Sequence, residues 1–313
     1  MWSDGIPPHF DGRRFYNPGV APPHGWRDIL RWKLHSRAEP SPRFIDDVTP
    51  SVPPRRVEGH AVRVTFVNHS TVLLQAGGLN LLTDPIWSER AGPYAWLGPR
   101  RRRAPGVSLA DLPPLDAVLI SHNHYDHLDL ATVRQLFRQQ AAHYIVPRGV
   151  ASWMRLQSIR QICELDWGEA VDLPGVRVHA VPALHFSART PFDRNRALWC
   201  GYLLEMPGGK LYFAGDTAFG PHFAWIRRRF GPLRLALLPI GAYAPRSIMA
   251  PVHVSPEESL EAHRILGART SIAIHHGTFR LTDETLDAPR QRLAEIAPAG
   301  FLTLNNGEAL EVS

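Results

Sequence analysis

Leu115-Asp116-Ala117-Val118-Leu119-Ile120-Ser121 runs directly into His122-Asn123-His124-Tyr125-Asp126-His127, and the architecture follows from this junction. The first segment is a short, mostly apolar run of the kind that makes a buried strand. The second reads H-x-H-x-D-H, with four ligand-type side chains in six positions. Imidazole and carboxylate are the donors that a borderline cation such as Zn²⁺ takes at a catalytic site. A strand ending in this loop points those donors out of a sheet edge, where an open coordination position can meet a substrate. The competing reading is a solvated polar loop. Histidines and an aspartate packed this closely are in any case a poor filling for an apolar core.

The rest of the chain bounds the answer. Its 313 residues fit one large α/β domain or two small ones, and 44% hydrophobic residues supply an ample core. The formal charge of +6 comes almost wholly from arginine, since Lys33 and Lys210 are the only lysines. That balance fits an anionic substrate or an acidic surface and names neither. Cys163 and Cys200 are too few for a disulfide framework and form no C-x-x-C pair. Met1 to Gly5 lacks the basic start and apolar core of a signal peptide, and no apolar run reaches the ~20 residues of a membrane helix. A soluble, cytoplasmic protein is expected, with peripheral contact to a membrane as an option.

Residues 1–60 hold ten of the 29 prolines, with pairs at Pro7-Pro8, Pro22-Pro23 and Pro53-Pro54. Proline withholds a backbone donor and restricts its neighbour, so an extended arm packing on the domain is expected here. One helix is predicted within it, from Gly25 to Arg37, with Trp26, Ile29, Leu30 and Leu34 on one face and Trp32 off the pattern. Residues 61–313 form the domain. Strands are expected at Ala61–Val67, Thr71–Gln75, Leu79–Thr83, Tyr144–Val146, Val176–Val181, Leu198–Glu205, Lys210–Ala214, Leu235–Pro239 and Ser271–Ile274, with a helix over Leu130–Gln139. Ser255-Pro256-Glu257-Glu258 opens another helix through a capping box, and a C-terminal helix and hairpin close the chain. Arg100 to Arg103 is a basic run, read as a solvated face.

The strands then agree with one another. Val178–Pro182 leads to His185, Lys210–Ala214 to Gly215-Asp216-Thr217, and Ser271–Ile274 to His275. A lone histidine after a strand is usually hydrogen-bonded packing; the same arrangement repeated at four strand ends is a constellation.

Several stretches carry a resemblance to a known family: Leu81 to Pro85 (LLTDP), Ser121 to Asp129 (SHNHYDHLD), Phe213 to Thr217 (FAGDT), Pro239 to Arg246 (PIGAYAPR), His253 to Glu258 (HVSPEE) and Ala273 to Phe279 (AIHHGTF). In order and spacing they resemble the metallo-β-lactamase superfamily, and within it the group of N-acylphosphatidylethanolamine-hydrolysing phospholipase D. Arg14-Phe15-Tyr16-Asn17-Pro18 extends the likeness into the arm. The resemblance implies an α/β fold, an αββα sandwich of two mixed sheets with helices on the outer faces. It also implies two zinc ions per chain, with iron or manganese as alternatives. His122, His124 and His185 would hold one ion, Asp126, His127 and His275 the other, and Asp216 would bridge them. Asp84 would orient a ligand imidazole or the metal loop. The register selects His275 over His276, which becomes a wall residue. His69, His253 and Tyr243 are expected to support the centre or touch substrate, and Asp126, Asp216 and His253 are the candidate catalytic residues. Arg189 and Arg246 are placed to draw in an anion. Asn68 stands where the group has glycine.

The function so implied is that of a metal-dependent phosphodiesterase acting on a small-molecule or lipid phosphodiester, N-acylphosphatidylethanolamine or a relative. The alternative is a hydrolase of lactones or other cyclic esters. Nucleic acid is not an expected partner, because nuclease members insert a further domain for which 313 residues leave little room. A homodimer is an option.

Overall fold

In the computed structural model, which describes residues 5–20, 25–36 and 42–312, period-two burial separates two layers. Leu81, Leu119 and Ile145 turn into the space between two sheets, whereas their neighbours Leu82, Val118, Tyr144 and Val146 face outward. The first sheet takes β1 (Val62–Asn68), β2 (Thr71–Ala76), β3 (Leu79–Thr83), β4 (Ala117–Leu119), β5 (His143–Pro147) and β6 (Ile162–Leu165). The second takes β7 (Ala170–Leu173), β8 (Val176–Val181), β9 (Gly201–Met206), β10 (Gly209–Phe213), β11 (Leu233–Pro239), β12 (Ala268–Ile274) and β13 (Phe301–Leu302). The final strand, β14 (Ala309–Val312), returns to the first sheet beside β1.

Helices α2 (Leu130–Gln139) and α3 (Ala151–Leu156) cover the outer face of the first sheet through Val133, Leu136, Ala151 and Met154. Helices α4 (His222–Phe230), α6 (Pro256–Leu266) and α7 (Ala288–Ile296) cover the second, while α1 (Trp26–His35) lies beside the short α5 (Arg246–Met249). The result is the αββα sandwich. The α6 capping box forms as read: Ser255 Oγ accepts from Glu258 N, and Glu258 returns the bond to Ser255 N.

Strand direction brings the ligand-type residues to one edge. β8 and β10 are both antiparallel to β9, and β10, β11 and β12 are mutually parallel. Their carboxyl ends therefore emerge together. In the first sheet β1 and β3 are each antiparallel to β2, and β3 is parallel to β4, which sends Asn68-His69 and the 120–129 loop the same way.

Some expectations fail. The C-terminal strands are not a hairpin, because β13 extends the second sheet beside β12 and β14 the first. The intervening Asn305-Asn306-Gly307 crosses the open side of the sandwich, and Gly307 N donates to Phe66 O. Leu198 to Cys200 is buried but precedes β9, with Leu198 N bonded to Arg148 O. The half-exposed β6 and β7 carried too weak an apolar pattern to be read. Arg100–Arg103 is not a solvated face: Arg101 and Arg103 are buried, the first donating to the carbonyls of Ile86 and Ser88, the second to Gly277 O, Asp47 and Asp287.

In the arm, α1 ends at His35. Pro22-Pro23, Arg37 and the Trp26 side chain lie outside the described residues. The face of α1 differs from expectation: Leu30 and Leu34 are exposed, while Trp32 turns inward and its indole Nε1 donates to Asp283 Oδ2 at 2.8 Å. Phe15 is buried in the main core, and Asn17 Nδ2 donates to His185 O at 2.8 Å. Among the described residues no helix is long and apolar enough to cross a membrane.

Candidate metal centre

At the shared edge the histidines and aspartates converge in two sets. In one, His122 Nε2 is 2.9 Å from His124 Nδ1, and His185 Nε2 is 3.2 Å from the same atom. In the other, Asp126 Oδ2 lies 3.4 Å from His127 Nε2, 3.5 Å from His275 Nε2 and 3.0 Å from His69 Nε2. Asp216 Oδ2 touches both sets, at 3.2 Å from His127, 3.1 Å from His275, 3.8 Å from His185 and 4.0 Å from His122. His253 Nδ1 is 3.8 Å from the same oxygen, its ring against those of His185 and His275.

The local backbone is built for this meeting. Gly215 has φ +60°, and a Cβ there would stand 2.5 Å from Ser121 Cβ, so the Asp216 turn packs directly on the metal loop. His69, Asp84 and His275 adopt φ of +49°, +32° and +58°, left-handed values uncommon for non-glycine residues. The His69 and His275 turns are tied together, His275 N donating to His69 O at 2.8 Å.

Hydrogen bonds on the far ring nitrogens choose the tautomers. His127 Nδ1–H donates to Asp84 at 2.6 Å, His185 Nδ1–H to Val252 O at 2.8 Å, and His122 Nδ1–H to Ser121 Oγ at 2.9 Å. Each turns its Nε2 towards the centre, where it would offer a lone pair once a cation displaces any proton there. Ser121 in turn gives Asp84 both its backbone N–H and its hydroxyl, at 2.7 and 2.6 Å.

The profile of the beta-lactamase superfamily domain matches residues 79–276, a span that contains the metal loop, His185, Asp216 and His275. The chain belongs to the metallo-β-lactamase superfamily. It is 34% identical over 307 residues to N-acyl-phosphatidylethanolamine-hydrolyzing phospholipase D 1 of Caenorhabditis elegans, covering 91% of this chain and 86% of that one. It is 32% identical over 222 residues to a metal-dependent hydrolase of Rubrobacter xylanophilus, covering 69% and 82%. A metallo hydrolase from the archaeon Ignicoccus hospitalis shares the fold, with a TM-score of 0.61 at 22% identity over 81% of this chain and 99% of that one. This metallo-β-lactamase-fold protein is a metal-dependent hydrolase.

The residues present fit divalent cations. His127 Nε2, His275 Nε2 and Asp216 Oδ1 are buried and without a hydrogen-bond partner among the described residues, which is costly unless an ion satisfies them. Burial pushes the imidazoles of His122, His124, His185 and His69 down, to about 3 for His124 and about 4 for His185 and His69, so their lone pairs are available. Burial alone would raise Asp126 and Asp216, but the neighbouring His127 holds both well below the usual carboxylate range. His127 and His275 are disfavoured as cations by burial, yet the carboxylates override it and lift His127 far above its ordinary value and His275 to about 9. The ionised carboxylates demand positive charge here, and the donor set of imidazole and carboxylate is that of a hydrolytic metal site.

Other expected residues take different places. His276 is buried away from the cluster, stacked on Phe66 at 5.1 Å with Nε2 3.3 Å from Ala273 O. Tyr243 is held through its backbone N–H by Glu284. Arg189 and Arg246 are not open anion receptors. Arg189 donates from Nη1 to the carbonyls of Asn123 and Leu128, both at 2.8 Å, and lies over the rings of Tyr125 and Trp153. It thereby clamps the two flanks of the metal loop. Arg246 binds His253 O and Glu258. Arg103, holding Gly277 O at 2.7 Å, steadies the loop after His275. Neither clamp was readable, because a carbonyl acceptor has no sequence signature.

Proposed function

We propose that this chain hydrolyses a phosphodiester within an amphiphilic molecule, of the N-acylphosphatidylethanolamine type, using two divalent cations, zinc first among them. The observation that carries the proposal is a pocket of about 480 Å³ that reaches His253 and is walled by Ile29, Trp32, Ile248, Met249, Val252 and Leu281. An apolar pocket ending at a hydrolytic centre suits a substrate with an acyl or alkyl body and a polar scissile bond. The worm relative, named for hydrolysing N-acyl-phosphatidylethanolamine, supports the same class.

His122, His124 and His185 would hold one ion, Asp126, His127 and His275 the second, with Asp216 Oδ2 shared between them. A metal pair of this kind supplies Lewis acidity and a water ionised near neutral pH. The chain's own residues do the positioning. Asp84 and Ser121 fix the ring planes of His127 and His122, and Asn17 ties the arm to the His185 turn. Val252 and Phe186 line the same pocket as His253 and give it an apolar wall there. His253 Nδ1, buried and without a hydrogen-bond partner among the described residues, faces Asp216 Oδ2 at 3.8 Å. Burial holds the imidazole neutral, its pKa well below 6.5, so it is placed to orient the reacting groups and not to supply a proton. In the reaction a water oxygen bonds to phosphorus, the bond from phosphorus to the headgroup oxygen breaks, and that oxygen leaves as an alcohol.

Metal analysis with a substrate screen tests this reading. About two ions per chain, loss of diester hydrolysis on chelation, recovery with zinc and an inactive Asp216→Ala protein are expected. Undiminished activity without metal, or turnover of lactones or β-lactams with none of N-acylphosphatidylethanolamine, would overturn it.

A further inference from the structure

We propose that Arg194, with Lys33 on the wall of the same pocket, forms a subsite for a second anionic group of the substrate, a carboxylate or phosphate carried beside the phosphodiester that reacts. The inference deepens the phosphodiesterase reading and rests on it for the position of the scissile bond.

Arg194 is half-buried and lies with its guanidinium carbon 4.7 Å from the centre of the Phe186 ring. That ring packs against the imidazoles of His124 and His185, at 4.5 and 4.9 Å between centroids. The cation therefore stands beside the metal centre, one aromatic ring removed from it, and lines the apolar pocket.

Its charge is uncompensated among the described residues. Arg103 has Asp47 and Asp287, Arg246 has Glu258, and Arg189 has two carbonyls. Among the described residues Arg194 has no ion pair, and the charge felt most strongly there is another cation, Arg14; burial first, then Arg14, lowers its pKa from the ordinary guanidinium value. A partly desolvated guanidinium facing a like charge is unfavourable until an anion arrives. Its planar fork matches the oxygens of a carboxylate or phosphate. Lys33 adds a second cation from the solvent side of the pocket, on a helix whose position Trp32 fixes through Asp283. The preferred substrate is thus an amphiphile with an acidic headgroup.

Two matched diesters test this: N-acylphosphatidylserine, which carries the extra carboxylate, and N-acylphosphatidylethanolamine, which does not. The native protein should show kcat/KM about tenfold higher for the serine diester. Arg194→Gln should bring that ratio to about one, and Arg194→Lys should retain part of it. A purely structural Arg194 would slow both substrates alike and keep the ratio, which would overturn the proposal. Should neither diester be hydrolysed, the phosphodiesterase reading fails, and calorimetry decides the subsite separately. In the metal-loaded protein dodecanoate and dodecyl phosphate should then bind at least tenfold more weakly to Arg194→Gln than to the native chain, whereas dodecanol should bind both alike. Equal affinity for the anions in both proteins would end the proposal, and loss confined to one of them identifies the group the subsite takes.

Discussion

Asp84 accepts the Nδ1–H of His127 at 2.6 Å, both side chains being fully buried. Burial raises the Asp84 carboxyl above its ordinary value against the pull of the His127 charge and the Ser121 bonds. Three donors nevertheless converge on its two oxygens, an arrangement that an acceptor-only carboxylate satisfies. Asp84→Asn presents an amide where an acceptor is needed and releases the tautomer of His127. Metal affinity should fall by about 10–100-fold, read by competition with a chromogenic chelator. Unchanged affinity would show that His127 needs no such orientation.

Arg189 clamps both ends of the metal loop, so its removal acts on the loop and not on substrate charge. Arg189→Ala should cost about 2 kcal/mol of stability in denaturant unfolding and lower metal occupancy. Arg189→Lys should rescue little, because an ammonium cannot stack between Tyr125 and Trp153 as a guanidinium does. A stable, fully loaded Arg189→Ala protein would refute the clamp.

Helix α1 is held to the domain by Asp283, which accepts from Trp32 Nε1 at 2.8 Å and from Ser36 Oγ at 2.6 Å. Asp283→Ala should release it and open one wall of the pocket. Faster amide exchange over residues 26–35, with a rise in KM for long-chain but not for short, soluble diesters, is the expected result.

Leu30 and Leu34 are 49% and 72% exposed, one helical turn apart on α1 and accompanied by exposed Arg27 and Arg31. Such a face would meet the surface of an anionic membrane. The protein should sediment with vesicles containing phosphatidylserine at low salt, and Leu30→Ser with Leu34→Ser should abolish this. Absence of sedimentation by the native chain would remove the membrane from its function.

The arm is pinned by His9, whose Nε2–H meets Asp166 Oδ1 at 2.7 Å while its ring stacks on Trp167 at 4.4 Å. Burial works against the His9 cation, but the Asp166 bond and charge raise its pKa above 6.5. Burial likewise opposes the Asp166 anion, which His9 and Arg148 bring down to about 2. A raised folded pKa contributes stability fully present below 6.5 and lost as pH rises through the folded value. The lowered Asp166 pKa contributes above 3.8 and is lost as pH falls towards about 2. Protection of residues 9–17 from exchange should therefore be greatest between about pH 4 and 6.5 and decline above it; Asp166→Asn should flatten that profile.

What the chain determined by itself is the set of residues that local pattern exposes. Apolar runs ending in His122, His185, Asp216 and His275 are contiguous signals, and period-two burial with parallel strands brings such ends to one edge. The capping box at Ser255 is equally local. Only the tertiary structure decided the inward turn of Trp32, because Asp283 lies far away in the chain. It also decided that the last two strands join different sheets, since β13 and β14 pair with β12 and β1 and not with each other. The fates of the arginines were settled in the same way. Arg101 and Arg189 donate to backbone carbonyls, Arg103 to Gly277 O and to Asp47 and Asp287, and Arg194 has no ion pair among the described residues. A hydrogen bond to a carbonyl can be made by any residue that folding brings near, so its partner is fixed by three-dimensional proximity and not by the identity of the neighbours in sequence.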